Sequence, residues 1–108
     1  MDIRITSPQQ LGVLIRATRK TQKVRLDDLA GSAGVGHVFA REVERGKETV
    51  QLGRVMKLLA ELGIELKAEV SATVAPELAR LQSIGLKPLR RRRFAKSRAA
   101  GPGPNGDS

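Results

Sequence analysis

Five small or apolar residues at fixed spacing between Leu26 and Val43 constrain the fold of this 108-residue chain more than any other feature. Counted from Leu26 as the first position, Ala30 is fifth, Gly34 ninth, Val35 tenth, Ala40 fifteenth and Val43 eighteenth. Two helices that meet steeply across a tight turn need small side chains where they touch. Ala30 suits the crossing point, Gly34 the left-handed turn residue and Val35 the plug beneath it, while Ala40 and Val43 seat the second helix on the first. This is the steric pattern of a DNA-binding helix-turn-helix. The spacing leaves open an ordinary helical hairpin in a small bundle.

Amphipathic segments flank the pair. Ser7-Pro8-Gln9-Gln10 reads as a helix start, with Ser7 as cap, Pro8 at the first helical position and Gln10 closing a capping box. This first helix is predicted to run to about Lys20, with Leu11, Leu14, Ile15 and Thr18 on its inner stripe. The second runs from Leu26 to about Ser32 and turns Leu26, Leu29, Ala30 and Ala33 inward. Asp27 and Asp28 in its first turn suit the helix dipole. A third spans about Gly36 to Arg45. A fourth runs from about Gln51 to Leu62, with Leu52, Val55, Leu58, Leu59 and Leu62 expected to be buried. Residues 64–70 alternate apolar and charged, the pattern of a strand, and residues 2–6 give a weaker signal of the same kind. A further helix is expected over 76–84.

Composition removes several classes of function. The chain has no cysteine, so neither a disulfide nor a cysteine-based zinc site can form. His37 is its single histidine, and no glycine pattern of the cofactor-binding kind is visible. No metal, cofactor or catalytic residue is expected, and no enzyme. The absence of Trp and Tyr argues against stacking of unpaired bases. No apolar run is long enough for a membrane span, and Met1-Asp2-Ile3-Arg4 does not open a signal peptide, so a cytoplasmic protein is expected. The net charge of +9 points to an anionic partner, nucleic acid first. That charge is unevenly placed. Residues 85–108 hold seven Lys or Arg against Asp107 alone, a net +6, which leaves residues 1–84 at +3. The Gly- and Pro-rich end from Ala99 onward is expected to be disordered.

Leu29-Ala30, Ala33-Gly34-Val35, Phe39 and Glu42-Val43-Glu44-Arg45-Gly46-Lys47 together resemble the XRE family, the phage-repressor-like helix-turn-helix proteins. The opening Ser7-Pro8, Leu11-Gly12, Leu14-Ile15-Arg16 and Arg19-Lys20, with the close Val55, Leu58-Leu59 and Leu62-Gly63, is similar to its HipB-type antitoxin branch. The resemblance covers residues 7–70. It implies a mainly α, four- to five-helix phage-repressor-like domain with a short C-terminal dimerising strand. It also implies operator binding as a homodimer and, for the HipB-type branch, a HipA-type toxin kinase as partner. By the same resemblance Glu44 and Arg19 form an ion pair between the first and third helices. Two positions depart from the family pattern: Arg25-Leu26 stands where Thr-Gln is usual, and the third helix opens with Gly36-His37-Val38 instead of polar residues.

Helical periodicity places Phe39, Ala40 and Val43 on one face of the third helix. Val38, Arg41, Glu42 and Arg45 fall on the other, with His37 at its exposed start. The outer, N-terminal surface of this helix is the one a helix-turn-helix sets in the major groove. Arg41 suits guanine, Val38 a thymine methyl and Glu42 a cytosine amine. Arg25, Arg45 and Lys47 would reach phosphates, which position a protein without reading sequence. The expected DNA-contacting set is therefore Arg25, Gly36, His37, Val38, Arg41, Glu42, Arg45 and Lys47. The expected dimer interface is Ile64, Leu66, Ala68 and Val70, one face of the alternating segment. Residues 1–70 form the expected DNA-binding and dimerisation domain. Residues 71–108 form an extension, with a helix over 76–84 followed by a basic flexible tail. Two other readings stay open: a toxin-neutralising interaction protein whose DNA contacts are vestigial, and a basic RNA- or ribosome-associated protein acting through the tail.

Overall fold

The structure, a computed structural model, describes residues 1–85. Five α-helices follow in chain order: α1 (Pro8–Thr21), α2 (Leu26–Ala33), α3 (His37–Glu44), α4 (Leu52–Leu62) and α5 (Ala75–Ile84). A 3-10 turn over Ala72–Val74 leads into α5. Two compact units divide the chain, the first spanning Met1–Leu66 and the second beginning at Lys67. The expected basic tail lies outside the described residues.

In the first unit each helix boundary has a local cause. Ser7 Oγ accepts from the Gln10 amide at 3.1 Å and opens α1, with Pro8 at a position that needs no amide donor. Lys23 closes it in the left-handed region at φ 59°, where the Val24 amide reaches back to the Arg19 carbonyl at 3.1 Å. Gly34 and Gly63 end α2 and α4 with φ of 72° and 77°, a conformation open to glycine at little cost. One core of nine buried residues joins the helices: Ile15, Leu29, Ala30, Ala40, Val43, Val55, Leu58, Leu59 and Leu62. Ile15, Leu29 and Leu58 are its largest fully enclosed side chains. Each contributes roughly 1.5–3 kcal/mol by leaving water.

One expectation is corrected. Leu52 is 64% exposed, not buried. It is the first residue of α4, one turn beyond the buried stripe that begins at Val55, and Val50 packs against the core in its place. Residues 2–6 and 64–70 carry no ladder among the described residues. Ile64 still packs against the core, whereas Leu66 and Val70 are 60% and 59% exposed. In the second unit Ser71 Oγ caps the 3-10 turn, and α5 leaves Leu78 and Ile84 exposed.

α1 crosses the end of α3 at close range. Gly12 is buried there, and a Cβ on it would lie 2.5 Å from the Val43 carbonyl oxygen and 2.6 Å from that of Glu44. Both obstacles are backbone, so a methyl group would force the helices apart. Gly12→Ala is expected to destabilise the fold by about 2 kcal/mol, within the range for overpacked cores. At the same time Gly53→Ala in α4, where a Cβ meets nothing within 4 Å, is expected to be neutral or to stabilise by up to about 1 kcal/mol. Urea unfolding of the two variants beside the parent checks the contrast.

Candidate nucleic-acid interface

The turn between α2 and α3 is built by its residue types. With Gly34 left-handed, the Val35 amide bonds the Ala30 carbonyl at 2.9 Å, and Gly36 then starts α3. Ala30 and Ala40 are 2% and 0% exposed and Val43 4%, so the close contact rests on the small residues singled out by spacing. Phe39, half-buried, packs against the same core, and the Arg54 guanidinium of α4 lies 5.9 Å from its ring centre. That separation suits a cation–π contact.

From the other side α1 locks α3. Arg19 donates from Nε to Glu44 Oε2 at 2.6 Å and from Nη2 to Oε1 at 3.1 Å, while Nη1 donates to the Val24 carbonyl at 3.0 Å. The ion pair implied by resemblance is therefore present, in the bidentate geometry that matches guanidinium to carboxylate. The two side chains are 12% and 7% exposed. The hydrogen bond to Glu44 pushes the Arg19 pKa up, against the opposing effect of burial. Gly46, with φ 83°, lets the chain turn away under α1: a Cβ there would sit 2.8 Å from Gln9 Cα, and Gln9 Nε2 donates to the Gly46 carbonyl at 3.3 Å.

These contacts occupy one face of α3 and leave the other outward. Val38 is 58% exposed and His37 is exposed at the first helical position. Arg41 is half-buried one turn further on, and Arg45 is exposed just past the helix end. Among the described residues neither arginine side chain is engaged in an ion pair. Glu42 and Lys47 instead hold each other, Nζ to Oε2 at 3.2 Å. Arg25 precedes α2, and its guanidinium lies 3.9 Å from Asp27 Oδ2. The His37 Nδ1 atom lies 2.5 Å from the other oxygen of the same carboxylate. Asp27 thus joins two of the expected DNA-contacting residues across the turn. Sequence reasoning had given it only a helix-dipole role. The available signal was an acid in the first turn of one helix and a histidine at the start of the next, which a helix-turn-helix brings side by side. The four residues of the expected dimer face follow α4: Ile64 is half-buried, and Leu66, Ala68 and Val70 are exposed. No helix among the described residues is long and apolar enough to cross a membrane, and no group of three or more His, Asp or Glu is placed to hold a metal.

No family profile matches the chain. It is 46% identical over 63 residues to the uncharacterized HTH-type transcriptional regulator y4mF of Sinorhizobium fredii (strain NBRC 101917 / NGR234), a match spanning 58% of this chain and 83% of that protein. Among solved structures, the clp gene regulator ClgR from C. glutamicum superposes with a TM-score of 0.51 at 25% identity, covering 74% of this chain and 96% of its own. A chain of a HipA-HipB-O2-O3 complex has a TM-score of 0.60 at 20% identity, covering 65% of this chain and 99% of its own, and so shares the fold. A HipB-O4 20mer complex matches to the same degree. With a small-residue turn, a buried bidentate lock on α3 and a curated relative matched over most of its length, this chain belongs to the HTH-type transcriptional regulators of XRE type, a DNA-binding family.

Proposed function

We propose that the chain binds a specific duplex operator as a homodimer, with α3 of each copy in the major groove, and represses transcription of its own operon as the antitoxin of a toxin–antitoxin pair. The observation that carries the reading is the outward face of α3. Val38 is exposed and Arg41 half-buried, with no ion pair among the described residues, on a helix whose opposite face is fixed by Glu44, Gly12 and the core. A rigid helix with an unoccupied face is what base reading requires, because a hydrogen bond to a base edge discriminates only if its donor is held in place. Arg41 then bonds guanine, Val38 meets a thymine methyl, His37 lies over the first base step, and the Gly36 backbone approaches the duplex closely. Arg25 and Arg45 reach phosphates. Glu42 and Lys47 serve the same surface as a pair, Lys47 toward phosphate and Glu42 toward cytosine.

Dimerisation is supported by residues 64–70. Leu66 and Val70 are exposed apolar side chains on a segment that alternates apolar and charged residues. A second copy would cover these side chains, with Ile64, Leu66, Ala68 and Val70 forming the shared face. The antitoxin role rests on the fold shared with a chain of the HipA-HipB-O2-O3 complex, and a HipA-type kinase is the partner it implies. The basic residues between Lys87 and Arg98 are assigned phosphate contacts by their charge, adding affinity without sequence preference.

Arg41→Ala is expected to weaken binding to a selected operator by about 1–3 kcal/mol and to leave binding to random duplex nearly unchanged. Titration of both duplexes at one salt concentration measures it, and an unchanged ratio removes Arg41 from base reading. Replacing Leu66 and Val70 together by Lys is expected to give folded monomers, since two charges would be forced into the shared apolar face. Sedimentation equilibrium decides this, and a normal dimer mass places the interface elsewhere.

A further inference from the structure

The turn that ends α3 ties Lys47 to Glu42 twice. Gly46, left-handed at φ 83°, donates its amide to the Val43 carbonyl at 3.0 Å, and the Lys47 amide donates to the Glu42 carbonyl at 3.0 Å. This nested pair of bonds is a Schellman closure, which sets the residue after the glycine against the last turn of the helix. An apolar contact between those two side chains frequently accompanies it. Here the contact is polar: Lys47 Nζ donates to Glu42 Oε2 at 3.2 Å. The turn that carries the lysine is itself held. Gly46 is buried, Gln9 Nε2 of α1 donates to its carbonyl at 3.3 Å, and a Cβ on it would lie 2.8 Å from Gln9 Cα. Glu42 stands one turn beyond Val38 on the outward face of α3, with its side chain 38% exposed. Its Oε1 has no partner among the described residues. An ionised carboxylate only accepts hydrogen bonds, so Oε1 can bond a donor and nothing else. An ammonium has three N–H donors, of which Lys47 gives one to Glu42.

We propose that Lys47 is a positioning residue for base reading, which orients Glu42 so that Oε1 accepts from the exocyclic amine of one cytosine. A lone carboxylate is repelled by the phosphates that flank a groove. Beside Lys47 its charge is balanced, and the remaining donors of the ammonium meet a phosphate oxygen. Cytosine presents the N4 donor in the major groove, whereas guanine presents acceptors and thymine an acceptor and a methyl group. Adenine sets the acceptor N7 beside its amine, which opposes a carboxylate. The inference rests on α3 being the element that enters the major groove. It extends that reading by making one residue couple a phosphate contact to a base preference, although it touches no base itself.

Selection from random duplexes by the full chain, followed by titration of the selected site at several salt concentrations, separates the base preference from the phosphate contact. The parent is expected to enrich cytosine at one position of each half-site. Lys47→Met keeps most of the aliphatic stem without the charge. It is expected to lose about tenfold of that enrichment, as for one hydrogen bond to a charged group, and to keep the preferences at other positions. It is also expected to lower the slope of log K against log salt by about 0.9 for each copy bound, one phosphate contact. Lys47→Arg is expected to retain both the enrichment and the slope. Glu42→Gln is expected to keep the slope and to move the preference at that position to adenine, which glutamine bonds bidentately. Exposed ion pairs contribute little to stability, so all three variants are expected to keep the parent's thermal unfolding midpoint to within a few degrees. A Lys47→Met variant with the lower slope and intact cytosine enrichment makes Lys47 a phosphate contact only and overturns the proposal. So does one that loses enrichment evenly at every position, which makes the turn merely structural, or a Glu42→Gln variant that still prefers cytosine. A parent that selects a duplex with no cytosine position overturns this inference and leaves operator binding standing, whereas a parent that selects no duplex overturns both.

Discussion

The crossing of α1 over the C-terminal end of α3 is the contact on which the placement of the outward face of α3 depends. Arg19 and Glu44 meet there with two hydrogen bonds at 2.6 and 3.1 Å and little exposure to water. Taking both charges out of solvent is costly, and their attraction offsets that cost only because the geometry is bidentate and a third Arg19 donor finds the Val24 carbonyl. Removal of one partner would leave the other charge buried and unpaired, a loss of about 3–5 kcal/mol. A small domain has little stability to spare for such a loss. What the pair gives in return is orientation. It fixes the rotation of α3 about its own axis, while Gly12 and Gly46 allow the backbones to approach closely enough for the fork to close.

That arrangement separates the residues that hold α3 from those that face outward. Ala40, Val43 and Glu44 are committed to neighbouring helices, whereas Val38 and Arg45 are exposed. The outer surface is also less cationic than its arginines suggest. Asp27 and Glu42 each hold a basic group, and the residues up to 84 carry a net charge of only +3. A surface of nearly balanced charge gains little from indiscriminate attraction to phosphate. On the proposed reading, preference for one duplex over another comes from base edges, and sequence-independent affinity from the basic residues between Lys87 and Arg98.

The helical framework was legible because each of its signals is local. Ser7-Pro8 starts α1, Gly34 and Gly63 end α2 and α4, and apolar spacing identifies the inner faces. The small-residue spacing from Ala30 to Val43 was legible for a related reason: a steep crossing at a short turn tolerates few side chains. The failures occur where a residue's environment is set by something distant. Leu52 continues the periodic stripe of α4, but no neighbour extends far enough to cover it. Alternation at 64–70 marks a segment suited to pairing, yet pairing requires a second strand that local sequence cannot supply. The close approach at Gly12 is set by the carbonyls of Val43 and Glu44, which lie far from it in sequence. Asp27 was assigned to a helix dipole because its contact with His37 spans two elements.

Chemical footprinting with dimethyl sulfate most directly tests whether the outer face of α3 reads the major groove, since the reagent methylates guanine N7 there and adenine N3 in the minor groove. On a selected operator, the protein is predicted to protect guanine N7 in two patches about one helical turn apart. Protection confined to adenine N3, or no protection at a salt concentration where the complex persists, would contradict a major-groove role for α3.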